Sequence, residues 1–170
     1  MEMIEGILSR YSTRKFDSTQ KATPAQIEQI LKCACQAPSA MNKQPWAFVV
    51  VDDPDVLQAI QNTHPYAGFL KDAGTAIIVV GDSKNCWEEY WRVDPLLAGQ
   101  NILLAAHQLG LGTCWCGVYP NKDRMQSIEN VLSLPTEYHA MALIAIGVPL
   151  TKKQNIESRY TPDKVHYNAW

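Results

Sequence analysis

The stretch that most constrains the fold is an unusually apolar helix predicted over residues 95–109. The segment PLLAGQNILLAAHQL carries apolar side chains on nearly every side, and only Gln100, Asn101, His107 and Gln108 interrupt them. A helix at a protein surface needs a polar face, so a helix with almost none must be covered by protein on most sides. In a chain of 170 residues the cover is either a thick core or a subunit interface.

Four short segments rich in β-branched residues alternate with helical segments along the chain. The predicted strands are Ala47–Val51, Thr75–Val80, Thr113–Tyr119 and Ala140–Val148. Strands separated by helices predict an α/β or α+β sandwich, and a chain of this length fits one domain over residues 1–170. Residues 150–170 are polar and then alternate, which predicts a terminal strand or arm. No G-x-G-x-x-G follows the first strand, so a Rossmann dinucleotide-binding unit is not predicted.

The charge and hydropathy patterns argue against two classes of partner. The net charge is −2 and no basic run exceeds two residues, which argues against a nucleic-acid-binding protein. No stretch of about 18 apolar residues is present, so no membrane span is expected. The N-terminal sequence MEMIEGILSRYSTRKF has two glutamates before its first arginine, unlike a signal peptide, and we expect a cytoplasmic protein.

Five cysteines occur along the chain, an odd number that without a secretion signal points to free thiols. Two pairs have C-x-C spacing, Cys33 with Cys35 and Cys114 with Cys116. Neither pair has a nearby histidine that would complete a zinc pattern, so we predict no metal site. The ordinary interpretation of such thiols is that they fill small apolar spaces.

The segment SRYSTRKF near the amino terminus holds two arginines and a serine at every second position. In an extended segment Arg10, Ser12 and Arg14 share one face, and the helix predicted before them ends near Ser9. Guanidinium groups offer a fixed fork of donors that suits an anion. The alternative is a solvated surface on which the arginines pair with glutamates.

Residues 37–46, with the sequence APSAMNKQPW, form a predicted loop whose only charge is Lys43. The loop carries the hydroxyl of Ser39 and the amides of Asn42 and Gln44. Amide side chains donate and accept hydrogen bonds together, which suits a flat heterocycle with alternating C=O and N–H groups. The alternative is a capped turn that leads into a strand.

These two stretches, in this order, resemble the N-terminal signatures of the nitroreductase family of flavoproteins. The segment DPLLAGQNILLAAHQLGLGTCWCG, residues 94–117, is similar to that family's central helix and following strand, and Gly147, Pro149 and Arg159 also fit. The resemblance covers nearly the whole chain. It implies an α+β fold, a three-layer sandwich with a central, mostly antiparallel sheet of four to five strands flanked by helices, in an intertwined homodimer.

The resemblance also implies a cofactor, FMN, bound without a covalent bond at the interface of the homodimer. The residues expected to contact FMN are Arg10, Tyr11, Ser12, Arg14, Pro38, Ser39, Ala40, Asn42, Gln44, Trp115, Cys116, Gly117 and Arg159. Arg10, Ser12 and Arg159 would hold the phosphate, while Arg14 would lie near the pyrimidine edge of the flavin. Loop residues including Asn42 would come from the partner subunit, and residues 150–170 would embrace that partner.

The activity implied by the resemblance is that of an NAD(P)H-dependent FMN oxidoreductase with a ping-pong mechanism. Reduced nicotinamide would pass hydride to flavin N5 and leave, and a nitroaromatic, quinone or similar small electron-poor acceptor would then be reduced. No side chain is expected to act as a catalytic acid or base, and a backbone N–H near Gly117 would contact N5. Two alternatives stay open: the same fold with different flavin chemistry, such as dehalogenation or ring oxidation, and a flavin-binding module without turnover.

Larger members of the family have extra helices that shape the acceptor pocket, and this short chain lacks them. The pocket is then expected from residues 62–72 and 84–92. The candidate side chains in these segments are His64, Tyr66, Phe69, Trp87 and Trp91. Larger members also have two basic residues in the tail, where this chain has Arg159 and, as a weaker second, Lys152 or Lys153.

Overall fold

The computed structural model of the chain describes residues 2–151 and 156–170. Its helices are α1 (Met3–Ser9), α2 (Pro24–Ala34), α3 (Pro54–Thr63), α4 (Leu70–Ala73), α5 (Asp94–Gln108) and α6 (Lys122–Leu132). Its strands are β1 (Trp46–Val51), β2 (Thr75–Asp82), β3 (Gly112–Gly117) and β4 (Tyr138–Gly147). Single 3-10 turns occupy Ala40–Asn42, Tyr90–Arg92 and Pro162–Lys164. The four predicted strands are all present, whereas α4 is too short to show a helical period and was not predicted.

The four strands form one sheet in the order β1-β2-β4-β3, and each neighbouring pair is antiparallel. At the free edge of β3, Ser12 makes a parallel bridge to Thr113, so the amino-terminal segment extends the sheet by a fifth position. The expected antiparallel sheet of four to five strands is therefore confirmed. The described part of the tail contains a 3-10 turn and no strand.

Local sequence signals set where the helices begin. At α2 the Thr23 hydroxyl accepts from the Gln26 N–H, and the Gln26 side chain accepts from the Thr23 N–H, which completes a capping box. At α3 the Asp53 carboxylate accepts from two backbone N–H groups of the first turn. At α6 the Asn121 side chain accepts from the Arg124 N–H at 3.0 Å. Such caps satisfy donors that a helix leaves unpaired at its start.

Helices cover both faces of the sheet, which gives three layers. On one face α3, α4 and α6 pack with Ile60, Leu70 and Ile128 in the core. On the other face α2 and α5 pack with Ile30 and Ile102 in the core. Strand β2 is buried along almost its whole length, as its continuous apolar sequence predicts for a strand covered on both sides.

Helix α5 contacts α1, α2 and all four strands, so its cover comes largely from its own chain. Gly99 lets it lie close to β3, because a Cβ at this position would be 2.6 Å from the Trp115 ring. One apolar side chain of α5, Leu97, stays 41% exposed. The thick-core interpretation of this helix therefore holds for most of its surface.

Two other apolar surfaces are left open by the single chain. On α1 the side chains of Met3, Ile4, Ile7 and Leu8 are exposed, although they lie on a helix of only seven residues. In the tail, Tyr160, Tyr167 and Trp170 are exposed as well. None of the described helices is both long and apolar enough to span a bilayer.

Candidate functional site

The amino-terminal segment after α1 lies along the free edge of β3. Ser12 bridges to Thr113, and the Thr13 N–H donates to the Thr113 carbonyl at 2.8 Å. Thr13 is buried, whereas Ser12 and Arg14 are exposed. Gly112 permits this approach, since a Cβ there would lie 2.7 Å from the Thr13 side chain. The segment is therefore extended, as predicted, and alternate side chains face away from the core.

Three arginines lie at this edge, and we refer to Arg10, Arg14 and Arg159 as the arginine cluster. Burial lowers the pKa of Arg10, and the nearby charge of Arg159 lowers it further. Within residues 2–151 and 156–170, none of these three guanidinium groups forms an ion pair with a carboxylate. The charge of Cys114 opposes the lowering of the Arg10 pKa only in part, since that pKa stays lowered. Like charges that are not offset are unfavourable, so the cluster fits an anionic ligand. Lys152 and Lys153 lie outside the described residues.

The two thiols of β3 are buried on the face that packs against α3, α4 and α6. A hydrogen bond from Cys116 lowers the pKa of Cys114 to about 7; burial opposes this, and the charges of Arg14 and Arg10 support it. The pKa of Cys116 is raised far above its usual value, first by its interaction with Cys114 and then by burial. A Cys114 thiolate would thus be stabilised by its neighbours on the same strand and by the arginine cluster.

The contacts of Tyr11 and His107 show where the arginine cluster lies along α5. The Tyr11 hydroxyl donates to the Thr151 carbonyl at 3.1 Å, and its ring meets the edge of the His107 ring. The His107 Nε2 atom is 2.9 Å from the Ser9 hydroxyl. Burial, and then the charge of Arg10, lower the pKa of His107. The cluster therefore lies at the carboxyl-terminal end of α5.

Residues 39–44, which we call the strained loop, have an unusual backbone. Met41, Asn42 and Gln44 have φ values of +50°, +53° and +50°. This left-handed region is costly for residues with a Cβ, and such conformations concentrate at functional sites. Three of them within four residues therefore mark the loop as a candidate binding element.

Hydrogen bonds hold the strained loop in this shape. The Gln44 N–H donates to the Ser39 hydroxyl at 2.9 Å, and the Gln44 side-chain Nε2 donates to the side-chain Oδ1 of Asn42 at 2.9 Å. The Ala40 N–H donates to the Asp94 carboxylate at 3.0 Å. Asp94 is buried at the first residue of α5. The sequence reasoning missed this residue, for which the Asp-Pro pair at the helix start was the available signal.

A cavity of about 400 Å³ opens beside the strained loop. Its lining residues are Pro38, Ser39, Ala40, Met41, Trp87, Tyr90, Asp94 and Leu97. Trp87 is among the predicted pocket residues, and Tyr90 joins it on the same wall. Trp91 was also expected in the pocket, but it is only 9% exposed and its ring centroid lies 4.5 Å from that of His139. The prediction for Trp91 is therefore wrong, because residue 91 faces the sheet whereas residues 87 and 90 face solvent.

The other three predicted pocket residues lie away from this cavity. Phe69 packs against Phe16, with ring centroids 5.9 Å apart, and contributes to the core. His64 is buried, and Tyr66 is exposed beside it. Both lie near the end of β3, where the His64 Nε2 atom is 2.9 Å from the Gly117 carbonyl oxygen.

Open space lies at the end of β3, the strand along whose free edge the amino-terminal arginines lie. Trp115 is half-buried on the α5 side of the sheet, and Gly117 is exposed. Apart from the adjoining residues of the chain, no heavy atom of the described residues lies within 4 Å of the position that a Cβ of Gly117 would occupy. A flat ligand could therefore approach the backbone at this point.

The predicted site residues thus fall into separate groups within one chain. The arginine cluster lies by His107, and the strained loop is bonded to Asp94, near the two ends of α5. Thirteen residues of helix separate these positions, which corresponds to about 20 Å at 1.5 Å per residue. The chain by itself does not bring the cationic group and the amide group together.

The fold and these groups define a three-layer α+β protein with a cationic edge and a strained amide loop. Comparisons with known proteins identify the family that has this architecture. The family model described as "Nitroreductase family" matches residues 7–64 and 61–148. A relative from Methanothermobacter thermautotrophicus, provisionally named NADH dehydrogenase/NAD(P)H nitroreductase, is 38% identical over 100% of this chain and 88% of its own. An Archaeoglobus fulgidus relative of the same provisional name is 36% identical over 99% of both chains.

Solved structures show the same architecture over the full chain. A Parabacteroides distasonis protein, given the same provisional name, superposes with a TM-score of 0.94 at 33% identity, over 99% of this chain and 98% of that one. An FMN-dependent nitroreductase from Clostridium difficile gives a TM-score of 0.91 at 30% identity, over 98% and 99%. The chain belongs to the nitroreductase family, and it is an oxidoreductase of that family. The family, fold and enzyme class predicted from the sequence are thereby confirmed.

Proposed function

We propose that this chain is an FMN-dependent enzyme that oxidises NAD(P)H and reduces small electron-poor acceptors such as nitroaromatics and quinones. The observation that carries the proposal is the arginine cluster, where Arg10 and Arg159 approach each other and neither has a carboxylate partner among the described residues. A phosphate would neutralise this charge, and guanidinium groups match phosphate geometry. The name of the Clostridium difficile relative supports FMN as the source of that phosphate.

The hydrogen-bond donors at the edge of β3 fit the phosphate of FMN and the pyrimidine edge of its ring. Arg10, Ser12 and Arg159 would bind the phosphate, and Arg14, on the same extended segment, would stabilise negative charge at the pyrimidine edge of the ring. The exposed backbone of Gly117 leaves space for the ring to approach. Tyr11, Trp115 and Cys116 remain predicted contacts. Trp115 and Cys116 face opposite sides of β3, and the Cys116 thiol is buried, so Cys116 would reach the ligand only through its backbone.

A second copy of the chain would supply the strained loop. In one chain the loop lies about 20 Å along α5 from the arginine cluster, so its amides need another route to the same ligand. The exposed apolar side chains of α1 and the tail also favour burial against a partner. We propose a homodimer in which Pro38, Ser39, Ala40, Asn42 and Gln44 of each chain complete the site of the other.

Bound FMN would supply the two-electron chemistry, accepting hydride from NAD(P)H and passing it to the acceptor in alternate half-reactions. The protein's own groups would bind, orient and shield. Asn42 and Gln44 would form hydrogen bonds to the polar edge of the ring. The cavity between Trp87, Tyr90 and the strained loop would receive a flat aromatic acceptor by stacking.

The visible spectrum of the purified protein tests the cofactor. We expect a yellow protein that is bleached by NADH or NADPH without oxygen and recovers its colour when a nitroaromatic or a quinone is added. A colourless protein that FMN does not reconstitute would contradict the proposal. A protein that binds FMN but does not oxidise nicotinamide faster when an acceptor is present would be a flavin-binding module instead.

Hybrid dimers test whether each site is shared. One chain carries Arg10→Ala with Arg159→Ala, and a differently tagged chain carries Asn42→Ala with Gln44→Ala. Each homodimer should bind FMN weakly, whereas the hybrid should regain one full-affinity site, built from the intact cluster of one chain and the intact loop of the other. A hybrid with no full-affinity site would contradict the shared arrangement.

A second candidate keeps FMN and changes the acceptor to a halogenated aromatic. An iodotyrosine deiodinase from Thermotoga neapolitana is 24% identical over 88% of this chain and 90% of its own. Release of iodide from iodotyrosine by the NAD(P)H-reduced protein would favour this candidate. Turnover of nitroaromatics without iodide release would favour the first.

A further inference from the structure

The carbonyl of Gly117, where β3 ends, accepts hydrogen bonds from two side chains of other elements. His64, which follows α3, places its Nε2 atom 2.9 Å from this oxygen. Arg124, in the first turn of α6, donates from Nη1 at 3.2 Å. A carbonyl oxygen has two lone pairs, so these two donors use its full accepting capacity.

The environment of His64 fixes which of its ring nitrogens carries hydrogen. The side chain is buried, with 3% of its surface exposed. The Gly117 carbonyl can only accept, so Nε2 must carry the hydrogen. The Tyr66 N–H can only donate, and it is 3.3 Å from Nδ1, which must therefore accept. Both nitrogens are thus in use, which holds the ring in one orientation.

Arg124 is held on the same turn by a different contact. Its guanidinium lies over the Tyr66 ring, 5.5 Å from the ring centroid. The Cys116 thiol also reaches the Tyr66 carbonyl, at 3.7 Å. Residues 64–66 are consequently linked to the end of β3 chiefly by the side chains of His64 and Arg124.

A fixed geometry at Gly117 has a physical reason to be maintained. Glycine has more backbone freedom than other residues, and Gly117 faces open space instead of a packed neighbour. Without the two donors, the peptide that follows Gly117 could rotate at the point where the strand leaves the sheet. Both donors lie on the α3 and α6 side, away from the cavity by Trp87.

We propose that His64 and Arg124 are positioning residues that fix the Gly117 backbone and so set the surface against which the flavin ring lies. This inference rests on the proposed FMN function. His64, which is buried and uses both ring nitrogens, makes the larger contribution, and Arg124, which is half-exposed, makes the smaller. Neither residue is required to touch the reacting atoms.

Four variants test the inference by FMN affinity and by the visible circular dichroism of bound FMN. His64→Ala should raise the FMN Kd about tenfold and change the visible dichroism, because the Gly117 carbonyl loses its buried donor and the peptide that follows can rotate. His64→Gln should restore most of both, since its amide can donate to Gly117. Arg124→Ala should raise Kd about threefold. His139→Gln, a histidine that faces Glu129 and Trp91, is the matched control and should change neither.

A measurement on the apoprotein keeps the inference open to contradiction if His64→Ala does not fold. Nitrogen chemical shifts should show His64 with hydrogen on Nε2 and none on Nδ1. Hydrogen on Nδ1 instead, or FMN affinity and dichroism in folded His64→Ala equal to those of the unsubstituted chain, would overturn the positioning role. An unsubstituted chain that is colourless and that FMN does not reconstitute would instead overturn the proposed function itself, so the two failures are distinguishable.

Discussion

The arginine cluster and the strained loop differ in how each is stabilised before any ligand arrives. The cluster collects like charges, and among the described residues no carboxylate offsets them. The loop has a strained backbone at Met41, Asn42 and Gln44. Hydrogen bonds within the loop and to Asp94 stabilise this conformation without a ligand. The cluster therefore depends on a bound anion to offset its charge repulsion, whereas the loop has its binding conformation before a ligand binds.

This contrast predicts opposite effects on ligand affinity and on stability when the cluster is removed. Arg10→Ala with Arg159→Ala should raise the FMN Kd at least about 100-fold, since each charge-assisted hydrogen bond contributes about 1.5–3 kcal/mol. At pH 6, where Cys114 keeps its proton, the apoprotein should be as stable as before, or more stable, because a repulsion between like charges has been removed. Equilibrium binding and urea unfolding measure the two effects.

Arg92→Ala is the control for the cluster, because Arg92 pairs with Glu89 on the surface. It should leave the FMN Kd unchanged. A cluster variant that loses stability as well as FMN would show that the arginines are structural, and the contrast with the loop would fail.

Removing the anchor of the strained loop should affect stability first. Asp94→Ala leaves the Ala40 N–H without its acceptor, so the free energy of unfolding should fall by about 1–3 kcal/mol. Asp94→Asn keeps a carbonyl oxygen that can accept and should recover most of the loss. Urea denaturation of the apoprotein measures both. Equal stability of Asp94→Ala and the unsubstituted chain would show that the loop is not built in advance.

The Cys114 thiol, whose pKa is lowered in part by Arg14 and Arg10, should make the stability of the chain depend on pH. Its pKa is lowered to about 7 in the folded chain from an ordinary value of 9.0. Between pH 7 and 9 the folded chain has therefore lost a proton that the unfolded chain keeps, so stability should rise with pH, by up to about 2 kcal/mol. The gain is lost as pH falls through 7.

The measurement is urea denaturation of the apoprotein at several pH values across this window. Cys114→Ser should remove the rise, while Cys35→Ser, at an exposed thiol, should keep it. An identical pH profile for Cys114→Ser and the unsubstituted chain would rule out a thiolate beside the cluster.

The smallest expected effect concerns the strain in the loop itself. Met41→Gly removes a Cβ from a residue at φ +50°. The relief of about 1–2 kcal/mol is partly offset by the greater freedom of glycine in the unfolded chain, so a net gain below about 1 kcal/mol is expected. Thermal unfolding measures it, and a clear loss of stability would contradict the strain. Ala40→Gly, at a residue outside the left-handed region, is the control and should give no gain.

Much of the fold could be predicted because its signals are local. The capping box at Thr23 and Gln26 lies within four residues, and the predicted strands were found because apolar β-branched runs mark them directly. The family resemblance rested on short stretches of the same kind. The extended segment of Arg10, Ser12 and Arg14 also followed from a local argument, the end of α1 at Ser9.

The parts of the site that could not be predicted join residues far apart in the chain. Asp94 reaches Ala40 across 54 positions, and His64 reaches Gly117 across 53. Trp87 and Trp91 are four residues apart and look alike in sequence, yet one lines a cavity and the other packs on the sheet. Neither periodicity nor residue type distinguishes such outcomes, since they depend on what the rest of the chain places opposite each side chain.

By itself the sequence determined the elements, their order and the types of group available for binding, because backbone caps and apolar periodicity act over a few residues. Tertiary structure alone decided which groups meet: Arg159 beside Arg10, and two donors on the Gly117 carbonyl. The physical reason is that long-range contacts form only after the helices have closed over the sheet, so their geometry is set by packing and not by the neighbouring residues in the chain.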